Sequence, residues 1–129
     1  MIAPLPGNGL RILLVDDYAP SAAGMRRLLC ALGHDVRVAR DGEEALRRAE
    51  EFKPDAAIVD LSLPRLDGYG VAERMRTMGA TRNALLVALT GWTGDDIADR
   101  VRAAGFDQHL TKPVTADTLI GALAMTHAP

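Results

Sequence analysis

Several things are scarce in this chain of 129 residues, which holds one cysteine, one tryptophan, two tyrosines and two phenylalanines. A single cysteine, Cys30, excludes an internal disulfide and suits a reducing, cytoplasmic setting. Cys30 falls in a helical pattern and is expected to pack, buried or semi-buried, as a small hydrophobe. No apolar run approaches the roughly 20 residues of a membrane helix, so membrane insertion is not expected. The formal net charge is only −2, which gives no basic footprint for direct nucleic-acid binding. Histidine and cysteine do not cluster, which argues against a soft-metal centre. Lysine is also rare: Lys53 and Lys112 stand against 13 arginines, so a lysine at a converging position is informative.

What is present is ordinary globular material, 48% hydrophobic and 25% charged, enough for one core. Short apolar runs alternate with helical patterns. The runs are Ile12 to Val15, Val36 with Val38, Ala56 to Val59, Ala84 to Leu89, and a brief polar one at His109-Leu110. Helices are predicted over 20–32, with Met25, Leu28, Leu29 and Leu32 on one face, and over 42–52, 68–78, 94–104 and 115–125. Asp41 with Glu44, and Thr93 with Asp96, have the spacing of capping boxes. Five strands each followed by a helix predict an α/β fold, a parallel sheet with helices on both faces. The continuous apolar runs belong in the middle and the alternating second and polar fifth strands at the edges. Right-handed crossovers then favour the order 2-1-3-4-5, a doubly wound, flavodoxin-like sheet. The expected organisation is a leader or linker over 1–9, one domain over 10–125 and a tail over 126–129.

In such a sheet, sites form beyond the carboxyl ends of the strands. Strand 1 ends in Asp16-Asp17, strand 3 in Asp60, strand 4 in Thr90 and strand 5 in Thr111-Lys112-Pro113. Strands 1 and 3 are expected neighbours, so three carboxylates should meet. They repel one another, and a hard divalent cation is the usual compensation. An all-oxygen ligand set favours Mg²⁺, or Mn²⁺. A carboxylate beside such an ion can attack an activated phosphoryl group, with the Lys112 ammonium and Thr90 hydroxyl as donors to the developing charge.

At these residues the chain resembles the receiver domain of two-component response regulators and hybrid histidine kinases. The matching segments are Ile12 to Asp17, Asp60 to Gly68, Ala88 to Gly91 and Ala104 to Val114. The resemblance implies that Asp60 is the phosphoacceptor. It implies Asp17 as a direct Mg²⁺ ligand, Asp16 as one acting mainly through water, and the Ser62 carbonyl as a further ligand. Thr90 is then the hydroxyl that moves to the phosphoryl group, and Lys112 the ammonium that bridges to it, with the Lys112-Pro113 bond cis. Such a domain is not an enzyme on other substrates; it takes part only in its own phosphorylation and dephosphorylation.

One position departs from the family's habit. His109 stands where an aromatic switch residue is usual, so coupling from Thr90 to the distal face is expected to be weaker or pH-sensitive. Ser62 and Trp92 occupy positions that flank the attacking water, and the bulk of Trp92 is expected to lengthen the phosphoryl lifetime. The resemblance also implies a phosphohistidine donor, a histidine kinase or histidine phosphotransfer protein, docking near Arg26 and Arg27. The 94–125 face is a candidate homodimer surface. A free single-domain regulator, a receiver segment of a hybrid kinase and a phosphate sink or relay station are all compatible settings.

Three rivals remain at the level of sequence. A dinucleotide-binding domain would want G-x-G-x-x-G after the first strand, where Asp16-Asp17-Tyr18-Ala19-Pro20 stands instead. A small Mg²⁺-dependent phosphatase with an Asp nucleophile commonly carries a second Asp two residues on, where this chain has Ser62. A pure interaction module would not need the acidic cluster.

Overall fold

The computed structural model describes residues 9–63, 66–91 and 94–124. Arg11–Val15 (β1), Ala56–Asp60 (β3) and Leu85–Thr90 (β4) are the central strands. Every residue of β3 and β4 is buried, as expected of a strand covered on both faces. Asp35–Ala39 (β2) and Gln108–Thr111 (β5) are the edges. The strands are parallel and run in the order β2-β1-β3-β4-β5. The doubly wound arrangement expected from the apolar runs is the one found.

Helices Ala19–Ala31 (α1), Gly42–Phe52 (α2), Gly68–Met75 (α3), Asp95–Ala104 (α4) and Ala116–Leu123 (α5) cover the sheet. Side-chain alternation along the strands divides the core into two layers. Leu13, Val15, Val59 and Leu86 pack with Val71 and Met75 of α3 on one face. Ile12, Leu14, Ile58 and Leu89 pack with Leu29 and Leu119 on the other. Among the described residues no helix is long and apolar enough to cross a membrane.

Local chemistry sets the helix ends. Asp41 accepts the Glu44 N–H at 2.8 Å, and Glu44 reaches back to the Arg40 N–H at 2.7 Å. An N-cap of this kind contributes about 1 kcal/mol. Thr115 and Thr118 form a reciprocal capping box at the start of α5.

Three expectations need correction. Cys30 is exposed, not buried. Adjacent helical residues are about 100° apart around the axis, and Leu29 takes the sheet-facing position. The helix expected over 68–78 stops at Met75, whose carbonyl accepts the buried Thr81 hydroxyl at 2.6 Å. The N-cap of α4 is Gly94, at φ 135° and without a side-chain cap bond; the expected cap, Thr93, lies outside the described residues.

Candidate functional site

Four of the elements deliver polar groups to one end of the sheet. Asp16 and Asp17 directly follow β1, Asp60 and Thr90 close β3 and β4, and Lys112 directly follows β5. Carboxylate oxygens of Asp16, Asp17 and Asp60 lie within 4.8 Å of one another. Asp16 and Asp60 are 1% and 6% exposed, whereas Asp17 is open to solvent. Two desolvated carboxylates and a third at the rim form a concentrated negative pocket with one open side.

The two buried carboxylates are held in place. Asp16 N–H bonds the Ala39 carbonyl at 3.0 Å, and Asp16 Oδ1 accepts the Tyr18 N–H at 2.9 Å. Asp60 Oδ1 accepts the Ser62 N–H at 2.9 Å. Asp60 Oδ2 accepts from Lys112 Nζ at 2.7 Å. Lys112 is anchored by its own N–H to the Thr90 carbonyl at 2.8 Å, and the Lys112-Pro113 bond is cis, as the resemblance implies.

Among the described residues one buried side-chain atom is left over. Asp16 Oδ2 is buried and has no hydrogen-bond partner. An unsatisfied buried carboxylate oxygen is costly, and it faces two more carboxylates. A hard cation with its coordinated water would satisfy that oxygen, and all the donor atoms are oxygen. The residues therefore fit Mg²⁺.

The other expected residues lie as follows. Thr90 is 3% exposed and stands one residue past Leu89, the β4 partner of Asp60. His109 lies opposite Ala88 and Thr111 opposite Thr90, so His109 and Thr90 share the sheet face packed by Ala88. His109 is half-buried and sits below the carboxylate cluster rather than in it. The described contact of Ser62 at the site is its amide. Trp92 lies outside the described residues.

Two contributors escaped sequence reasoning. A side chain at Gly68 would place its Cβ 2.5 Å from the Asp60 carbonyl and 2.7 Å from the Leu61 Cα, so only glycine lets α3 start against the end of β3. The Gly68 N–H closes the intervening loop onto the Leu61 carbonyl at 3.3 Å. The Asp67-Gly68 pair was the available signal. Tyr18 contributes through its backbone N–H, which no side-chain pattern reveals. Beyond Lys112 the site opens into a groove of about 640 Å³ whose lining includes Tyr18, Met25, Leu28, Pro113 and Val114.

Residues 12–124 match the family described as the response regulator receiver domain. Protein PilG of Pseudomonas aeruginosa is 32% identical over 122 residues, covering 95% of this chain and 90% of its own length. The virulence sensor protein BvgS of Bordetella pertussis is 38% identical over 120 residues, covering 88% of this chain but 10% of BvgS. The chain thus spans nearly all of one relative and a small part of another. Among solved structures, the receiver domain of the sensor histidine kinase PA1611 of P. aeruginosa superposes with a TM-score of 0.84 at 31% identity. It covers 92% of this chain and 97% of that one, and it holds a magnesium ion in its active-site cleft.

Proposed function

Because the chain belongs to the response regulator receiver domain family, we propose that it accepts a phosphoryl group on Asp60 from a phosphohistidine donor. The observation that carries this reading is the meeting of three carboxylates within 4.8 Å with one ammonium at 2.7 Å from Asp60. An Asp60 carboxylate oxygen forms the new O–P bond while the P–N bond of the donor breaks. The electron pair of that bond stays on the donor's ring nitrogen.

Asp16, Asp17, Asp60 and the Ser62 carbonyl would hold Mg²⁺, which supplies charge neutralisation at the phosphoryl oxygens when bound. Lys112, already bonded to Asp60, is placed to stay with the phosphoryl group as charge builds on it. The Ser62 N–H fixes the carboxylate plane. Thr90, at the end of the adjoining strand, is the residue proposed to follow the phosphoryl group and pass its presence to the face that carries His109. Trp92 and Ser62 are proposed to set how fast water removes the group.

The partner proposed is a histidine kinase or a histidine phosphotransfer protein, and the setting proposed is the cytoplasm. A second copy of this chain is proposed on the 94–125 face, where Ile120 is exposed; sedimentation with and without phosphodonor tests it. The phosphatase reading is not favoured, since the position of its general acid holds Ser62.

The deciding experiment is incubation with a small acyl phosphate and Mg²⁺, read by intact-protein mass spectrometry. The expected result is a gain of one phosphoryl group, absent without Mg²⁺ and absent in Asp60→Asn. No gain in the wild-type chain, or an equal gain in Asp60→Asn, overturns the assignment.

A further inference from the structure

Strand β5 leads directly into the lysine of the site, yet little in its own sequence fixes its register. It is a four-residue edge strand, Gln-His-Leu-Thr, with β4 as its one strand neighbour and no fully buried residue; the Gln108 side chain adds a bond to the Ala122 carbonyl of α5 at 3.1 Å, which does not fix the β4 register. Weakly patterned edge strands have a weakly specified register. The strand is tied at both ends instead. At its far end Lys112 N–H bonds Thr90. At its near end Asp107 makes a two-way pair with Leu86 of β4. The Asp107 N–H donates to the Leu86 carbonyl at 2.8 Å, and Asp107 Oδ2 accepts the Leu86 N–H at 2.8 Å.

That carboxylate oxygen is itself gripped. Arg76, one residue past α3, donates to Asp107 Oδ2 at 2.8 Å through Nη2. Its other donors reach the Gly105 carbonyl at 2.8 Å, the Ala84 carbonyl at 2.8 Å and the Arg82 carbonyl at 3.0 Å. One rigid guanidinium thus joins the end of α3, the entry to β4, the end of α4 and the entry to β5. A side-chain Cβ at Gly105 would come 2.8 Å from Arg76 Cγ, and the residue's φ of 109° independently favours glycine.

We propose that Asp107, held by Arg76, is a positioning residue for phosphoryl transfer: it sets the register of β5 and thereby places Lys112 against Asp60. This rests on the function proposed above. The physical reason is the pitch of a strand. A slip that keeps the same faces inward is two residues, or roughly 7 Å. The 2.7 Å contact between Lys112 and Asp60 does not survive such a shift. The exposed ion pair between Arg76 and Asp107 adds little stability by itself. What matters is that it orients the oxygen that receives Leu86.

The test compares Asp107→Ala, Asp107→Asn and Thr81→Val with the wild-type chain. Thr81→Val removes a buried hydrogen bond at the end of α3 without touching β5 and serves as the stability control. At saturating Mg²⁺, phosphorylation of Asp107→Ala by a small acyl phosphate is expected to be at least about tenfold slower, approaching the loss of a displaced charge-stabilising donor. Its Mg²⁺ dissociation constant, set by Asp16, Asp17 and Asp60, is expected to stay within about twofold of wild type. Asp107→Asn keeps an acceptor for Leu86 and is expected to lose less than Asp107→Ala but more than Thr81→Val.

A readout that needs no phosphorylation runs beside it. The Lys112 ammonium signal in nitrogen-15 NMR, protected by its bond to Asp60, is expected in the wild type and lost in Asp107→Ala. A wild-type chain that shows this signal but takes up no phosphoryl group removes the functional reading alone. A wild-type rate and a retained lysine signal in Asp107→Ala overturn the positioning role, as does an equal loss of rate in Thr81→Val. Should Asp107→Ala not fold, the decision passes to Asp107→Asn, where a wild-type rate overturns it.

Discussion

Lys112 Nζ donates to Asp60 Oδ2 across 2.7 Å, joining the ends of β5 and β3 over the top of β4, the strand that separates them. Asp60 is nearly buried, while the lysine side chain keeps 38% of its surface in water. The ammonium is the one positive charge that the described structure places directly on Asp60.

Removing that charge separates ion binding from chemistry. Lys112→Ala is expected to bind Mg²⁺ at least as tightly as the wild type, because a cation held on Asp60 is gone. Phosphorylation by a small acyl phosphate is expected to fall about 100-fold, the usual scale for losing one donor to a developing charge. Calorimetric Mg²⁺ titration and the phosphorylation time course check the two halves. Weaker Mg²⁺ binding in this variant contradicts the charge argument.

Asp16 predicts a trade between stability and metal binding. Its Oδ2 is buried without a partner, and its Oδ1 already accepts from Tyr18. Asp16→Asn keeps an acceptor for Tyr18 while removing a charge from between two others. In excess chelator the variant is expected to be more stable by about 1 kcal/mol, a rise of a few degrees in Tm. In millimolar Mg²⁺ the order is expected to reverse, since the ion stabilises only the state that binds it. Calorimetric melting in the two buffers decides; the same order in both sinks the idea.

How much of this was legible in the sequence follows from what each residue answers to. Continuous runs such as Ala56 to Val59 announce buried central strands, because nothing polar interrupts them and the chain must cover both faces. Asp60 and Lys112 were legible as strand-end polar residues in a fold whose sites lie at strand ends. Cys30 was misread because periodicity tells which stripe is apolar but leaves its edge uncertain by a residue. The end of α3 was misread because it depends on Thr81, six residues beyond Met75, whose hydroxyl takes that carbonyl. Arg76 and Asp107 were invisible for the same reason. A guanidinium that spans four segments has no local pattern, and its partners are known only once β4 and β5 lie side by side.

Helix α4 is predicted to loosen from the end nearest the site. Its first residues, from Asp95 to Arg100, include none that is fully buried. Its N-cap, Gly94, makes no side-chain bond. Val101 and Ala104 are buried at the other end, where Arg76 also grips the Gly105 carbonyl. Native-state hydrogen exchange is expected to show lower protection at 98–100 than at 102–105. Gly94→Asn or Gly94→Ser does not serve to stabilise that start, because φ there is 135°. Equal protection along the helix counts against a loosely held start.

His34 ties down the segment that leads into β1. Its Nδ1 accepts the Leu10 N–H at 3.0 Å, so the ring is neutral with its proton on Nε2. The Asp35 N–H returns a bond to the Leu10 carbonyl at 2.9 Å, and Gly9 packs so closely on the Gly33 carbonyl that a side chain there would collide with it. Burial lowers the imidazole pKa from its usual 6.5, because a charged ring would lose hydration it cannot replace. A base with a depressed folded-state pKa binds fewer protons in the folded chain than in the unfolded one. Stability from this group is therefore full above about pH 6.5 and is lost as pH falls through the folded pKa. His34→Asn offers an acceptor that does not titrate in this window. The difference in Tm between wild type and His34→Asn is expected to shift in favour of the variant as pH is lowered from about 7 to about 5. A pH-independent difference would mean that the Leu10 bond is not what the proton competes for.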